Sequence, residues 1–278
     1  MAPSIDTAFV EEYNSDVHIS FQQLGSRLMG TTRKGAVRGS VVYFQIFGSL
    51  AAQSKSRNAQ HTFIDPLHTR VSATMVDWYI PTLIDDLDLL KVNTDEKMAH
   101  VRTHVGGLGK KADQIIIAAL TAGANATDLG AAAEAMDLAK MLSIVETFST
   151  AEVPDDGQRF CAVHPKTFVQ MLKVSEFANA DFVGMESLPY KGGMTAKLWM
   201  GVLWLVEPNI NIGTAGANVA TNLAWHKSAI GHGVNKEINT NWDWENTYSA
   251  WSAVSCMSMG AVGIEDTGIY TIETLTTA

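Results

Sequence analysis

From Asn93 onward the sequence carries an apolar repeat that only a helix can use. Met98, Val101, Val105, Leu108, Ala112, Ile115 and Ala119 recur at steps of three and four, the spacing that places side chains on one helical face. Asn93, with Glu96 three residues later, fits the reciprocal cap that satisfies unpaired backbone N–H groups at a helix start. The expected helix is roughly 37 Å long at a rise of about 1.5 Å per residue, well above the usual length. Gly106, Gly107 and Gly109 weaken its middle, and either bend it or admit a close neighbour. The rest of the chain has to be arranged around this rod.

Just before it the period changes. Val41, Tyr43 and Phe47 alternate with Val42, Phe44 and Ile46, a β-branched and aromatic run that reads as a strand. A polar segment follows, Gln53 to Thr62, holding Lys55, Arg57 and His61. A second strand returns with Arg70, Ser72 and Thr74 on one side and Val71, Ala73 and Met75 on the other. Two strands joined by a long polar tip make an extended hairpin with no evident core of its own. Isolated two-stranded ribbons are marginal in water, so the pattern predicts a hairpin that rests on a neighbouring molecule.

Further periodic stretches complete a mixed chain. Phe9, Val10, Tyr13, Val17, Phe21, Leu24 and Leu28 suggest an amphipathic helix over Thr7 to Met29. A second central helix is expected from about Leu129 to Phe148, with Leu138, Leu142, Val145 and Phe148 on one face. A turn at Pro154 to Gly157 precedes a strand from Phe160 to Val163, and Pro165 starts a third helix carrying Phe168, Met171 and Leu172. β patterns then dominate: Leu198 to Val206, Leu223 to His226, a long strand through Trp251, Ala253 and Ser255, and a final hairpin turning at Asp266 to Gly268. The fold class is α+β.

Composition excludes several functions. With 46% hydrophobic and 18% charged residues, the chain has the material for one large core or two interleaved ones and is not a disordered polymer. A formal net charge of -9, with no dense Lys/Arg cluster, argues against a dedicated nucleic-acid binder. Cys161 and Cys256 stand far apart, which excludes a disulfide framework or thiolate zinc site. The N-terminal residues lack a signal-peptide pattern. The uncharged stretch Asn246 to Ile264 is too rich in Ser, Thr and Gly to span a membrane.

Candidate sites are few. Gly106 to Lys111 resembles a phosphate loop only superficially, because the Gly-x-x-x-x-Gly-Lys-Ser/Thr spacing is broken and the stretch lies inside a helix. Glu96, His100 and His104 share a helical face, a possible metal set; Val101 stands where a zinc protease needs its general base, so a packed or solvated polar face is the preferred reading. Asp85, Asp86 and Asp88 form an acidic turn without a calcium-loop ligand pattern. No nucleophile elbow and no dinucleotide fingerprint occurs. Trp242, Trp244, Tyr248 and Trp251 are read as buried sheet or subunit interface, the places where large rings contribute most.

Several stretches together carry a likeness. Asp65, Pro66, Leu67, His68, Thr69 and Arg70 are followed by Trp78, by Leu83 to Leu90 with its aspartates, and by Asn93 to Asp95. Lys111, Ala112 and Asp113 lead into the run Ile115 to Leu120. Later, Trp225, His226, Lys227, Ser228, Ala229, Ile230 and Gly231 precede a long strand, and Gly260, Ala261 and Val262 lead to a closing hairpin. In these the chain resembles the major capsid proteins of tailed bacteriophages that share the Hong Kong 97 type fold.

That resemblance implies an N-terminal arm over residues 1–35, an extended hairpin loop over 36–82, and a peripheral domain with the spine helix over 83–123. It implies an axial domain over 124–240, and strands returning to the peripheral domain over 241–278. It implies a structural subunit, not an enzyme, that needs no cofactor and assembles with itself into hexamers and pentamers of an icosahedral head around double-stranded DNA. A scaffolding protein and a portal are the expected partners. The virion is the expected location, after assembly in the host bacterial cytoplasm, and no membrane is involved. Lys55, Arg57, His61 and Arg70 are the expected subunit contacts. The alternatives are an encapsulin-like compartment shell, which shares the fold but loads protein cargo, and a metal-dependent enzyme using Glu96, His100 and His104.

Overall fold

In the computed structural model, residues 25–86, 96–125, 134–178, 196–210, 212 and 218–276 are described. The expected helix over Thr7 to Met29 therefore lies almost wholly outside the described residues, as do Asp88, the cap residue Asn93 and the side chain of Glu96. The described chain forms strands β1 (Arg33–Gly35), β2 (Val37–Arg38), β3 (Val41–Phe47), β4 (His68–Thr74) and β5 (Val76–Asp85), then the long helix α1 (Glu96–Gly123) and helix α2 (Leu138–Thr150). These are followed by β6 (Arg159–Val163), α3 (Pro165–Met171), α4 (Ser175–Ala178), β7 (Lys197–Trp199), β8 (Val202–Val206) and β9 (Val219–His226), and then by β10 (Ile230–Glu245), β11 (Ala250–Gly263) and β12 (Ile269–Leu275).

The residues gather into two compact units. One takes Asp77–Lys111 and Lys236–Ser258; the other takes Arg27–Val76, Ala112–Asn235 and Met259–Ala278. The second holds a five-stranded sheet of order β12-β9-β6-β8-β7, in which β6 and β8 run parallel and the other pairs antiparallel. Met141, Ile144 and Phe148 from α2, with Phe168 and Met171 from α3, pack against Cys161, Val163, Val202 and Trp204 of the sheet in one buried cluster. Asp137 caps α2 by accepting the Lys140 amide at 2.9 Å, and His164 Nδ1 does the same for α3 with Lys166.

Three sequence expectations change here. The face of α2 is turned: Met141 and Ile144 are buried while Leu142 is exposed, because the helix starts after Asp137 and its buried stripe follows from that cap. Leu198 to Val206 is two strands, broken at Met200 and Gly201, whose φ values of 51° and 75° suit the left-handed two-residue turn of a hairpin. The turn at Asp266 to Gly268 exists, but it does not join a hairpin. β12 pairs with β9 over seven residues, Ile269 opposite Trp225 through Leu275 opposite Val219, whereas β11 belongs to a four-stranded sheet of order β1-β10-β11-β5. Pro81 sits in β5, at the edge of that sheet, where a missing N–H is tolerated.

The ribbon is a three-stranded sheet of order β2-β3-β4, with Val41 opposite Thr74 and Phe47 opposite His68. Its root does have a core, contrary to the sequence reading. Val42, Phe44, Ala73 and Met75 are buried with Ile264. The floor beneath them is glycine. A Cβ added at Gly35 or Gly231 would collide with the Phe44 ring, and one at Gly260 with the Thr74 carbonyl. Bare backbone at these positions lets a large ring seat flat, a packing that apolar periodicity does not reveal.

Candidate assembly surfaces

Beyond its root, the ribbon has few bonds to the other described residues. Gly48 donates to the Leu67 carbonyl at 2.8 Å, the last ladder bond, and in the loop beyond, the Ala59 amide donates to the Ser56 carbonyl in a turn. The loop encloses an open concavity of 560 Å³ lined by Leu50, Lys55, His61 and Phe63 among others. Phe63 is 94% exposed, Leu67 72% and Phe47 63%, with Leu50 and Ile64 also exposed. Apolar groups clustered this openly on one loop are the mark of a surface made to be covered.

The four contact residues named from sequence fall into two places. Lys55 Nζ lies 3.4 Å from His61 Nε2 at the tip, and Arg57 is exposed in the same loop. Arg70 stands apart on β4, its guanidinium 4.3 Å from the centre of the Tyr43 ring, a stacking that holds both flat on the ribbon's outer side. The sequence reading passed over Leu50, Phe63, Ile64 and Leu67. They have no period, and only their position on either side of a polar tip signalled them.

A second exposed surface lies at the end of the β10–β11 hairpin. Trp244 and Tyr248 are 38% and 65% exposed, so of the two readings given for this aromatic set, buried sheet or subunit interface, burial within the chain's own sheet is set aside. Trp244 meets Trp251 edge-on with ring centres 5.4 Å apart. Lys97 Nζ lies 4.4 Å from the Trp251 ring centre, and Trp251 Nε1 donates to Asp86 Oδ1 at 3.3 Å. Charged partners on both sides fix the orientation of the rings and leave outer faces in solvent.

His104 of the histidine pair on α1 is a core residue. The buried stripe of α1 runs through His104, Leu108, Ala112, Ile116 and Leu120, while Met98 is exposed, so the helix is turned from the face that apolar spacing indicated. A polar residue can take the core side because both its nitrogens are engaged. His104 Nε2 pairs with the Thr82 hydroxyl at 3.2 Å and Nδ1 with Ser255 at 2.9 Å, and Ser255 pairs in turn with Thr240 at 2.6 Å. Burial, aided by the nearby His100, holds the imidazole below its usual pKa. With both ring nitrogens on hydroxyls, His104 offers no lone pair to a cation, and the described residues contain no group of three or more His, Cys, Asp or Glu placed to hold a metal. The metal-enzyme alternative is therefore not favoured, the side chain of Glu96 lying outside the described residues.

The sequence profile of a family described as phage capsid protein matches residues 5–275. The chain belongs to the phage capsid protein family. Its fold is the Hong Kong 97 type capsid fold, a mixed arrangement of helices and sheets also seen in solved relatives. A capsid chain of cyanophage P-SCSP1u aligns with a TM-score of 0.75 at 16% identity, covering 98% of this chain and 94% of that one. The capsid of cyanophage Pam1 aligns at 0.74 and 13% identity over the whole of both chains. A chain of Mycobacterium phage Che8 aligns at 0.73 and 18% identity, covering 95% of this capsid protein and 97% of its counterpart. No curated protein gave a match. At such identities the shared property is the fold, carried by packing patterns that many sequences satisfy.

Proposed function

We propose that this capsid protein builds a closed icosahedral head by associating with itself into hexamers and pentamers around double-stranded DNA. The observation that carries this is the ribbon, whose root is locked into its own subunit while its tip presents Phe63, Leu67 and Leu50 to solvent. A surface of that kind is complete only on another molecule, and the occupant proposed is a second copy. Lys55, Arg57 and His61 at the tip, with Arg70 on the outer side of the ribbon, then supply polar contacts at the rim of the interface. A contact between unlike surfaces that closes by rotation makes a ring, and rings of six and five make a curved shell.

On this reading residues 1–35 are the arm, 36–82 the hairpin loop and 83–123 the peripheral domain with α1 as its spine. Residues 124–240 form the axial domain, and 241–278 supply the returning strands. A separate scaffolding protein and a portal complete the assembly in the host bacterial cytoplasm, and the mature location is the virion. The net charge of -9 suits a wall that encloses DNA without gripping it.

Negative-stain electron microscopy with light scattering on the purified chain, alone and with scaffolding protein, tests this. Closed shells or hexamer rings are the expected result, lost when Gln53 to Thr62 is deleted. A uniform monomer in every condition, or normal shells from the deletion, would overturn it.

A further inference from the structure

Near residue 25 the chain passes over the long helix, and buried charges meet where it does. Gly109 of α1 leaves room for the backbone: a Cβ there would lie 2.6 Å from the Gly25 carbonyl carbon. One turn later Asp113, fully buried, receives the chain. Its Oδ1 accepts the Arg27 and Leu28 amides, each at 3.1 Å, and its Oδ2 accepts Arg27 at 3.2 Å. The Arg27 guanidinium donates to the Val206 carbonyl at 2.9 Å, and the next residue, Glu207, is also fully buried.

Glu207 is the unusual member. Its amide donates to the Val163 carbonyl at 3.0 Å. Its Oε1 accepts the Asn209 amide at 3.0 Å and the Asn209 side chain at 2.6 Å. Its Oε2 has no partner among the described residues. The charged groups that bear on it are Asp113 from α1 and Arg27 from the crossing segment, while β6 brings only the Val163 carbonyl. Burial raises the Glu207 carboxyl above its usual value, Asp113 pushes the same way, and the Asn209 bonds and Arg27 oppose them less strongly.

We propose that Glu207 is a proton-sensitive latch on this crossing. With a proton on Oε2, Arg27 and Leu28 stay pinned to Asp113. Loss of that proton puts a second buried anion near Asp113, with the exposed Arg27 guanidinium as the charge that offsets it, and the pin loosens. The sign follows from linkage: a carboxyl raised in the folded state contributes stability that is present at low pH and lost as pH rises through the raised value. The latch therefore ties proton binding to how firmly Arg27 and Leu28 are held on Asp113.

The test is hydrogen exchange at the Arg27 and Leu28 amides of the full chain from about pH 5 to 9, corrected for intrinsic pH dependence. Protection is expected to fall with rising pH, by at most about tenfold per pH unit for a single proton. Glu207→Gln is expected to flatten that fall and to leave amides in β6 unchanged. A flat wild-type profile, or the same slope in Glu207→Gln, would overturn the latch. Carbon-detected NMR of the Glu207 carboxyl in the wild-type chain decides the matter if the variant does not fold: titration at or below the ordinary carboxylate value rules the latch out, and titration above it is the expected outcome.

Discussion

The five-stranded sheet and the ribbon tip belong to the same compact unit and are built on opposite terms. In the sheet Trp204 and Trp225 are fully buried, as are Phe148 and Phe168 of the helices packed on it, and the buried Asn222 is paired with His164, Ile272 and Thr274. In the tip the apolar side chains face solvent and the backbone from Ser49 to Pro66 has almost no internal bonds. Such a segment draws its order from what covers it. The sheet therefore sets the stability of the subunit, and the tip sets what the subunit binds.

Substitutions that separate these roles should fall on a graded scale. Trp204→Ala, at the centre of the sheet, is expected to cost about 3–5 kcal/mol of folding stability, measured by urea denaturation; a loss close to zero would remove the sheet from its place as the main core. Gly231→Val, which drives a side chain into the Phe44 ring, is expected to cost about 1–3 kcal/mol and to slow shell formation in proportion, since it displaces the ribbon root. Removing Gln53 to Thr62 roughly halves the loop and is expected to shift folding by only about 0.6 kcal/mol, while closed shells disappear from electron micrographs. A large loss of folding stability in that deletion would erase the distinction between the two regions.

A smaller test uses pH. Burial holds His104, His164 and His232 below the usual histidine value, with His100, Lys166 and Lys34 adding to the effect in turn. The folded chain then binds these protons less readily than the unfolded one. Stability is full above about pH 6.5 and drains as pH falls from there through the lowered folded values. A melting temperature that drops between pH 7.5 and 5 is the expected record. Because the tip contributes little to folding, its deletion should leave that curve unchanged.

Local pattern made much of this legible, and its failures have physical reasons. The long helix, both ribbon strands, β6 and the proline-led α3 follow from periodicity and caps, which act over a few residues. Gly106, Gly107 and Gly109 were read as a bend or a place for close approach, and at Gly109 the backbone at Gly25 takes the second. His104 went unread as a core residue because its partners Thr82 and Ser255 are distant in sequence. β12 was misassigned because succession in the chain suggested pairing, and the pairing actually made was with β9. The exposed apolar residues around the tip had no period, and their meaning appeared only once the loop was seen to stand clear of any core.

The glycine floor under Phe44 also limits how the sequence can drift. Any replacement of Gly35 or Gly231 adds a carbon where the ring already sits, so no amino-acid change at either position fits without a shift of the ring. Phe44, by contrast, can shrink at the cost of a void. A lineage that alters this joint must therefore trim the ring first and fill the glycine second, and the order of those two steps is set by geometry.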